Sequence, residues 1–197
     1  HTTLFRFCKG IFGKISKAIS SYELAWKIYH KNKLTTYDIT EYCLKPLGNL
    51  YTLIGDYSNA ENSIKQYYFV ASQEKNESQK QAAVLNLSNV YQNTGRIDQA
   101  IELLEKTIQK EKLTNAQKGL LYNNLGSNYF LNTRATKMKS YAFENAEKAF
   151  LKAVLLLERE PSQHEALTNS YRNLCKLNLE RKNKQMALHY FEKAKHT

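Results

Sequence analysis

The chain has 197 residues, of which 42% are hydrophobic, and its 29 basic and 18 acidic residues give a formal net charge of +11. This composition supports a continuous hydrophobic core, and the apolar runs are far too short to cross a bilayer. Three cysteines, Cys8, Cys43 and Cys175, fit neither a disulfide framework nor the close ligand spacing of a zinc site. A reducing, cytoplasmic compartment is therefore favoured.

Residues 1–35 are predicted to form N-terminal helices, or a degenerate half of the repeat described below. Residues 3–15 are apolar enough for one helix, and residues 21–32 place Leu24 and Ile28 on one face of a second helix. A capping box from Ser20 to Glu23 is typical of a helix start. No strand-like alternation occurs along the chain, so it is predicted to be all-helical.

From residue 36 onward one pattern recurs four times: a leucine followed by a small residue and, 12 or more positions later, an alanine that opens a second apolar stripe. The anchors are Leu47-Gly48 with Ala60, Leu87-Ser88 with Ala100, Leu125-Gly126 with Ala146, and Leu174-Cys175 with Ala187. Apolar residues at three- and four-residue steps around them predict two amphipathic helices per copy. One such pair cannot bury its stripe alone, so the copies are expected to stack.

This pattern resembles the tetratricopeptide repeat (TPR). The resemblance implies an all-α fold, a right-handed α-solenoid of about four helix pairs plus the N-terminal helices. The solenoid is expected over residues 36–197, with repeats at 44–75, 84–112, 120–160 and 168–197. Gly55 and Gly95 are expected in turns that need a positive φ. The small residues should be buried between paired helices; they are Gly48, Ser88, Gly126 and Cys175.

The third copy is longer than the others. Gly126 and Ala146 are 20 positions apart, whereas the corresponding residues of the other copies are 12 apart. The extra residues are expected within Thr133 to Tyr141, as a mobile, basic surface loop between the paired helices. A binding loop is the alternative.

Catalysis and cofactor binding are not expected in these residues. His30, His164 and His189 lie on different predicted helices, and none has a Cys, Ser or carboxylate partner at a catalytic or metal-binding spacing. The chain contains no glycine-rich phosphate loop and no His-Glu-x-x-His motif. We therefore predict no catalytic residue, no metal and no cofactor.

Asparagine recurs on the helix face opposite the small residues, where the concave surface of a solenoid is expected. An asparagine amide both donates and accepts hydrogen bonds, so it can hold the backbone of an extended peptide without selecting a side chain. The alternative is that asparagine is simply a common polar residue on these helices. The candidate peptide-binding residues are Lys45, Asn49, Asn86, Asn89, Asn124, Ser127, Arg172 and Asn173.

This series of amides resembles that of TPR proteins that bind extended peptides, among them cargo-adaptor and polarity proteins. Lys45, Asn49 and Asn86 also resemble part of the carboxylate clamp of chaperone-binding repeats. Leu120 and Asn124, however, stand where that clamp has basic residues. A clamp for a chaperone C-terminus is therefore not expected.

The charge is uneven along the chain. Residues 1–50 carry 8 basic and 3 acidic side chains, residues 51–110 carry 6 and 7, and residues 111–197 carry 15 and 8. A uniform basic stripe would favour nucleic acid, which this distribution does not. The expected partner is therefore an acidic protein or peptide. A charged surface that only keeps the protein in solution is the alternative.

A second resemblance concerns an attached module. Residues 42–51, followed by Gly55-Asp56-Tyr57, resemble repeats that precede a caspase-like CHAT protease domain in bacterial proteins, and such repeats also precede histidine kinases. The chain begins at His1 and its last repeat helix has no polar cap, so we expect a fragment. The predicted function is a non-catalytic scaffold that binds protein or peptide in a concave groove. The alternative is a regulatory or sensor region that packs on an attached catalytic domain.

Overall fold

The computed structural model describes residues 2–32, 37–110, 112–135 and 139–197, with side chains described from residue 13 onward except at 110 and 135. In these ranges the backbone forms nine α-helices and no strand. A π-helical turn, Thr40–Leu44, leads into α2, and a 3-10 turn, Pro161–Gln163, leads into α8. The helices are α1 (Thr2–Asn32), α2 (Lys45–Ile54), α3 (Tyr57–Gln73), α4 (Glu77–Asn93), α5 (Ile97–Lys110), α6 (Asn115–Ala135), α7 (Lys139–Leu157), α8 (His164–Glu180) and α9 (Lys184–His196).

The predicted all-helical class and the order of four helix pairs after the N-terminal region are confirmed. The prediction of two separate N-terminal helices is not confirmed, because this region forms one continuous helix, α1. Ser20 lies within that helix and not at a helix start. Residues 14–32 contain neither proline nor glycine, so nothing in the sequence interrupts the helix there.

The chain divides into two compact units, residues 1–90 and 91–197, with the boundary inside α4. In the first unit, α2 packs against α1 and α3. In the second unit, α6 packs against α5, α7 and α8, and α8 packs against α9. Phe150, Leu174 and Leu177 are fully buried in the hydrophobic core of this second unit.

The tight turns follow the predicted chemistry. Gly55 and Gly95 have φ angles of +80° and +75°, which a residue without a Cβ adopts at no steric cost. The turn between α8 and α9 has no glycine, and Lys182 takes the positive φ there at +60°. Asn183 then begins α9 by accepting a hydrogen bond from the backbone N–H of Met186 at 3.2 Å.

The small residues of the repeat lie where paired helices come closest. A Cβ built on Gly48 would be 2.7 Å from Cγ1 of Ile64, and one on Gly126 would be 2.6 Å from Cδ1 of Phe150. Ser88 is fully buried as well. The predicted burial of these three residues is therefore confirmed.

Cys175 is an exception, because it is only half-buried. It packs at the edge of the second unit's core rather than inside it. Phe191 has the same register relative to Cys175 as Ile64 has to Gly48, but it is 54% exposed, whereas Ile64 is fully buried.

The predicted loop in the third copy is largely helical. Residues 133–135 continue α6, and residues 139–141 belong to α7, while residues 136–138 lie outside the described part of the chain. Thr133 is 5% exposed, and its hydroxyl donates to the carbonyl of Phe130 at 2.7 Å. In the described part of this stretch the extra residues therefore lengthen the two helices, and the expectation of a surface loop was wrong for residues 133–135 and 139–141.

Three tyrosine hydroxyls donate hydrogen bonds to a glutamate on the preceding helix or directly after it. Tyr51 of α2 binds Glu23 of α1, Tyr129 of α6 binds Glu105 of α5, and Tyr171 of α8 binds Glu158, the residue after α7. Burial raises the pKa of each hydroxyl well above its usual range, and the nearby carboxylate raises it further. Burial also raises the pKa of Tyr67, whose hydroxyl has no hydrogen-bond partner among the described residues.

Replacing Gly126 by leucine is expected to lower the free energy of unfolding by about 1–3 kcal/mol, because the new side chain has to displace the Phe150 ring. Denaturant titration followed by circular dichroism measures the change. Gly13→Leu is the matched control, since a Cβ at Gly13 meets nothing within 4 Å; it should gain up to about 1 kcal/mol from helix propensity. Equal destabilisation by both changes would contradict the proposed packing.

Alkaline titration should separate the buried tyrosines from the others. A raised pKa in the folded state means that the protonated hydroxyls stabilise the fold below pH ~10, the value for unfolded tyrosine, and that this contribution is lost as pH rises further. Tyrosinate absorbance should therefore reach its full value for 14 tyrosines only when the helical signal is lost. In denaturant all of them should titrate together near pH ~10. Complete ionisation of a folded protein would contradict this prediction.

Candidate functional site

In the first unit the predicted amides form a pair. Asn49 of α2 is exposed and Asn86 of α4 is half-buried. The Nδ2 of Asn86 donates to the Oδ1 of Asn49 at 3.1 Å. Each residue thus keeps one open group, the Nδ2 of Asn49 and the Oδ1 of Asn86, so the pair presents a donor and an acceptor to a ligand. Asn89, three residues further along α4, is half-buried.

Lys45 is less available than the sequence analysis assumed. Its Nζ lies 2.9 and 3.0 Å from the two carboxylate oxygens of Glu41, one helical turn earlier. The pair is about one-third exposed, so it contributes little to stability, but it neutralises the charge of Lys45. Lys45 is therefore a weak candidate for binding an anionic ligand.

A further carboxylate, Asp38, lies at the start of the same segment. It accepts hydrogen bonds from Thr40 at 2.5 Å, from the backbone N–H of Glu41 at 2.9 Å and from Gln79 at 3.1 Å. Burial acts to raise the pKa of Asp38, but these hydrogen bonds outweigh it and hold the pKa below its usual value. The segment before α2 consequently carries negative charge.

In the second unit a polar network joins α6 to α8. The Nδ2 of Asn173 donates to the Oδ1 of Asn123 at 3.1 Å, with a longer contact of 3.4 Å to the hydroxyl of Ser127. Ser170 donates to the same oxygen of Asn123 at 3.2 Å. Asn173 and Ser127 were predicted to face a ligand, and the structure shows that they also hold the two helices together. Asn123 was missed, although it precedes Ser127 by one helical turn.

Asn124 and Arg172 complete the predicted set and are the most available of its members in this unit. Asn124 is half-buried, and its side chain has no hydrogen-bond partner among the described residues. Its backbone carbonyl accepts a hydrogen bond from the Nδ2 of Asn128 at 2.9 Å. Arg172 is exposed, and in the described part of the chain no carboxylate lies within ion-pair distance of it. In the described part of this unit, Asn124 therefore offers an open amide and Arg172 a cation without a carboxylate partner.

A hollow of about 430 Å³ lies at the C-terminal ends of α6 and α8 in the same unit. Phe130 and Leu179 supply apolar surface, and Leu179 is 58% exposed. Lys176 and Lys182 add positive charge, while Arg134 is 3.6 Å from Glu180. The hollow can accept an apolar side chain that has a carboxylate beside it.

The described residues contain neither of two further kinds of candidate site, a metal centre or a membrane-spanning helix. Within them, no group of three or more His, Cys, Asp and Glu side chains is placed to hold a metal ion. None of the described helices is both long and apolar enough to cross a bilayer. Cys43 is buried, its thiol lies 3.1 Å from the carbonyl of Tyr22, and burial raises its pKa. It is therefore a packing residue rather than a nucleophile.

Residues 82–109, which span most of α4 and α5, match the tetratricopeptide repeat family. Two solved structures are similar to the chain along most of its length. BtubC (BKLC) from P. vanneervenii has a TM-score of 0.71 at 22% sequence identity, covering 91% of this chain and 70% of that chain. TPR-like repeats of a protein assigned as a kinesin light chain of Podosopora anserina have a TM-score of 0.65 at 18% identity, covering 93% and 87%. No curated protein sequence matches the chain.

The fold is therefore that of a TPR repeat protein. Repeats of this kind generally mediate contacts between proteins and typically act as non-catalytic scaffolds. We use the name amide faces for two groups of residues: Asn49 and Asn86 in the first unit, and Asn123, Asn124 and Asn173 in the second. Each offers polar side-chain groups to a protein ligand.

Proposed function

We propose that this chain is a non-catalytic scaffold that binds an extended segment of another protein through its amide faces. The observation that carries the proposal is Asn124, whose partly exposed side chain has no partner within the described residues, next to the Asn123–Asn173 network. In the first unit the open groups of the Asn49–Asn86 pair offer the same chemistry. An extended backbone supplies one N–H and one C=O per residue, and an amide can bind both.

The expected affinity is modest. A hydrogen bond between an amide and a peptide backbone contributes about 1 kcal/mol net, so three of them change the dissociation constant by roughly two decades. Such contacts do not select particular side chains. Selectivity has to come from hollows beside the amides, and the one lined by Phe130 and Leu179 is placed to contribute.

The preference for acidic segments is proposed for the second unit only. Arg172 and Lys176 are exposed there without carboxylates at ion-pair distance among the described residues. In the first unit Lys45 is paired with Glu41, and Asp38 adds negative charge. Exposed cations mainly increase the association rate, and binding should weaken as salt is added.

A regulatory region that packs on an attached catalytic domain is the second candidate. Leu188 and Phe191 of α9 are 61% and 54% exposed, and a neighbouring module could cover them. The resemblance to repeats that precede CHAT proteases suggests a CHAT protease as the attached domain. A histidine kinase is the alternative. Gly48 and Gly55 carry part of that resemblance, but the repeat itself accounts for both. Gly48 lies against Ile64 of the paired helix, and Gly55 takes a positive φ in the turn.

A double variant, Asn49→Ala with Asn124→Ala, is expected to weaken peptide binding about fivefold at the amide face of each unit, because each face loses one hydrogen bond of about 1 kcal/mol. Peptides are first selected from a random library with the unmodified protein, and their dissociation constants are then measured by fluorescence anisotropy. Asn62→Ala with Asn115→Ala is the matched control, since both residues are exposed and lie outside these faces. Equal dissociation constants for the two double variants would contradict the proposal. Failure to select any peptide would favour the second candidate.

A further inference from the structure

A second surface lies between α6 and α7, separate from the amide faces. It is an open groove of about 480 Å³. Tyr122, Leu125 and Tyr129 of α6 form one wall, and Lys148, Lys152 and Leu155 of α7 are among the residues of the other. At about 100° per residue, Tyr122 and Leu125 point to the side of α6 opposite Asn124 and Ser127. A ligand in this groove therefore does not compete with one on the amide face.

Large apolar side chains are exposed along the groove. Leu151 and Leu155, one helical turn apart on α7, are 43% and 57% exposed. Neither belongs to the hydrophobic core of the second unit, where Phe150, Ala153 and Leu157 represent α7. Two exposed leucines in a concave surface are the pattern of a protein contact rather than of a solvated helix face.

The charge on the groove has one sign on α7. Lys148 and Lys152 are exposed, and no carboxylate lies within ion-pair distance of either in the described part of the chain. The Nζ of Lys152 is 5.1 Å from the centre of the Tyr122 ring. Of the two acidic residues of α7, Glu147 binds Arg181 at 2.5 Å. Glu144, one turn before Lys148, accepts a hydrogen bond from the hydroxyl of Ser140 at 3.4 Å and is not part of the groove lining. At the Tyr129 end of the groove, Glu105 already accepts the hydrogen bond from that hydroxyl.

We propose that this groove binds an acidic amphipathic helix of a partner protein. Two packed helices form a furrow that a third helix fills by ridge-into-groove packing. Lys148 and Lys152 are one turn apart, so they match two carboxylates one turn apart on the incoming helix. The apolar face of that helix covers Leu151 and Leu155, which gives the complex its stability.

A second copy of the chain fits the groove less well. Among the described residues of this unit, the other helix with more than one exposed large apolar side chain is α9, with Met186, Leu188 and Phe191, and it also carries Lys184, Lys193 and Lys195. Placing α9 against Lys148 and Lys152 brings like charges together, which opposes association.

The probe is a synthetic, fluorescein-labelled helix with leucines on one face and pairs of glutamates one turn apart beside them. Its counterpart has lysines in place of the glutamates. Binding is followed by fluorescence anisotropy at low and high salt. Lys148→Glu with Lys152→Glu should weaken binding of the glutamate probe at least about tenfold and strengthen binding of the lysine probe. Lys184→Glu with Lys193→Glu changes the net charge equally on α9 and should alter both constants by less than about threefold.

The apolar part of the contact is tested by Leu155→Asn, which should weaken the glutamate probe about tenfold while leaving the melting temperature unchanged, because Leu155 is exposed. The Asn49→Ala and Asn124→Ala variant should bind the probe normally, which separates this groove from the amide faces. Equal effects of the two lysine pairs, or no saturable binding of the glutamate probe, would overturn the proposal. So would a dimer in sedimentation that Leu151→Asn disperses, since a second copy would then occupy the groove.

Discussion

In the first and third repeats the paired helices approach each other so closely at the glycine that a side-chain carbon has no room there. At Gly126 the space is taken by the Phe150 ring, and at Gly48 by the side chain of Ile64. This contact sets the rotation of the second helix in these two pairs, because one of its residues must lie over the glycine. On α7, with Phe150 turned toward α6, the face with Lys148 and Lys152 lies away from the core. The surfaces available for binding follow from that rotation.

Polar contacts fix how one pair meets the next. In the second unit Asn123, Ser170 and Asn173 join α6 to α8, while the Tyr129–Glu105 and Tyr171–Glu158 hydrogen bonds join successive helices. A buried or half-buried polar group costs free energy unless it has a partner, so these networks hold the helices in one register. Asparagine on this face consequently has two uses. Asn173 donates a hydrogen bond to Asn123 within the fold. The side chain of Asn124 has no partner among the described residues and is open to a ligand.

The two proposed surfaces differ in chemistry as well as in place. The amide faces are suited to the backbone of an extended chain, which needs donors and acceptors but no charge. The groove between α6 and α7 combines exposed leucines with lysines that have no carboxylate partner among the described residues, and we propose it for an acidic amphipathic helix. In these two proposals the excess of basic over acidic residues after position 110 is used locally, at Arg172 for the first surface and at Lys148 and Lys152 for the second.

The sequence alone determined the helical class, the four pairs, the turns at Gly55 and Gly95, and the close approach at Gly48 and Gly126. These features depend on local spacing and on residue size, which are read directly from the order of residues. Only the tertiary structure decided what the asparagines do, because partners such as Asn49 for Asn86 and Asn123 for Asn173 are chosen by how helices pack. It also decided that the extra residues of the third copy lengthen α6 and α7, since helix and loop are equally compatible with their composition. The groove beside Lys148 and Lys152 depends on two helices at once, and no periodicity within one helix could have revealed it.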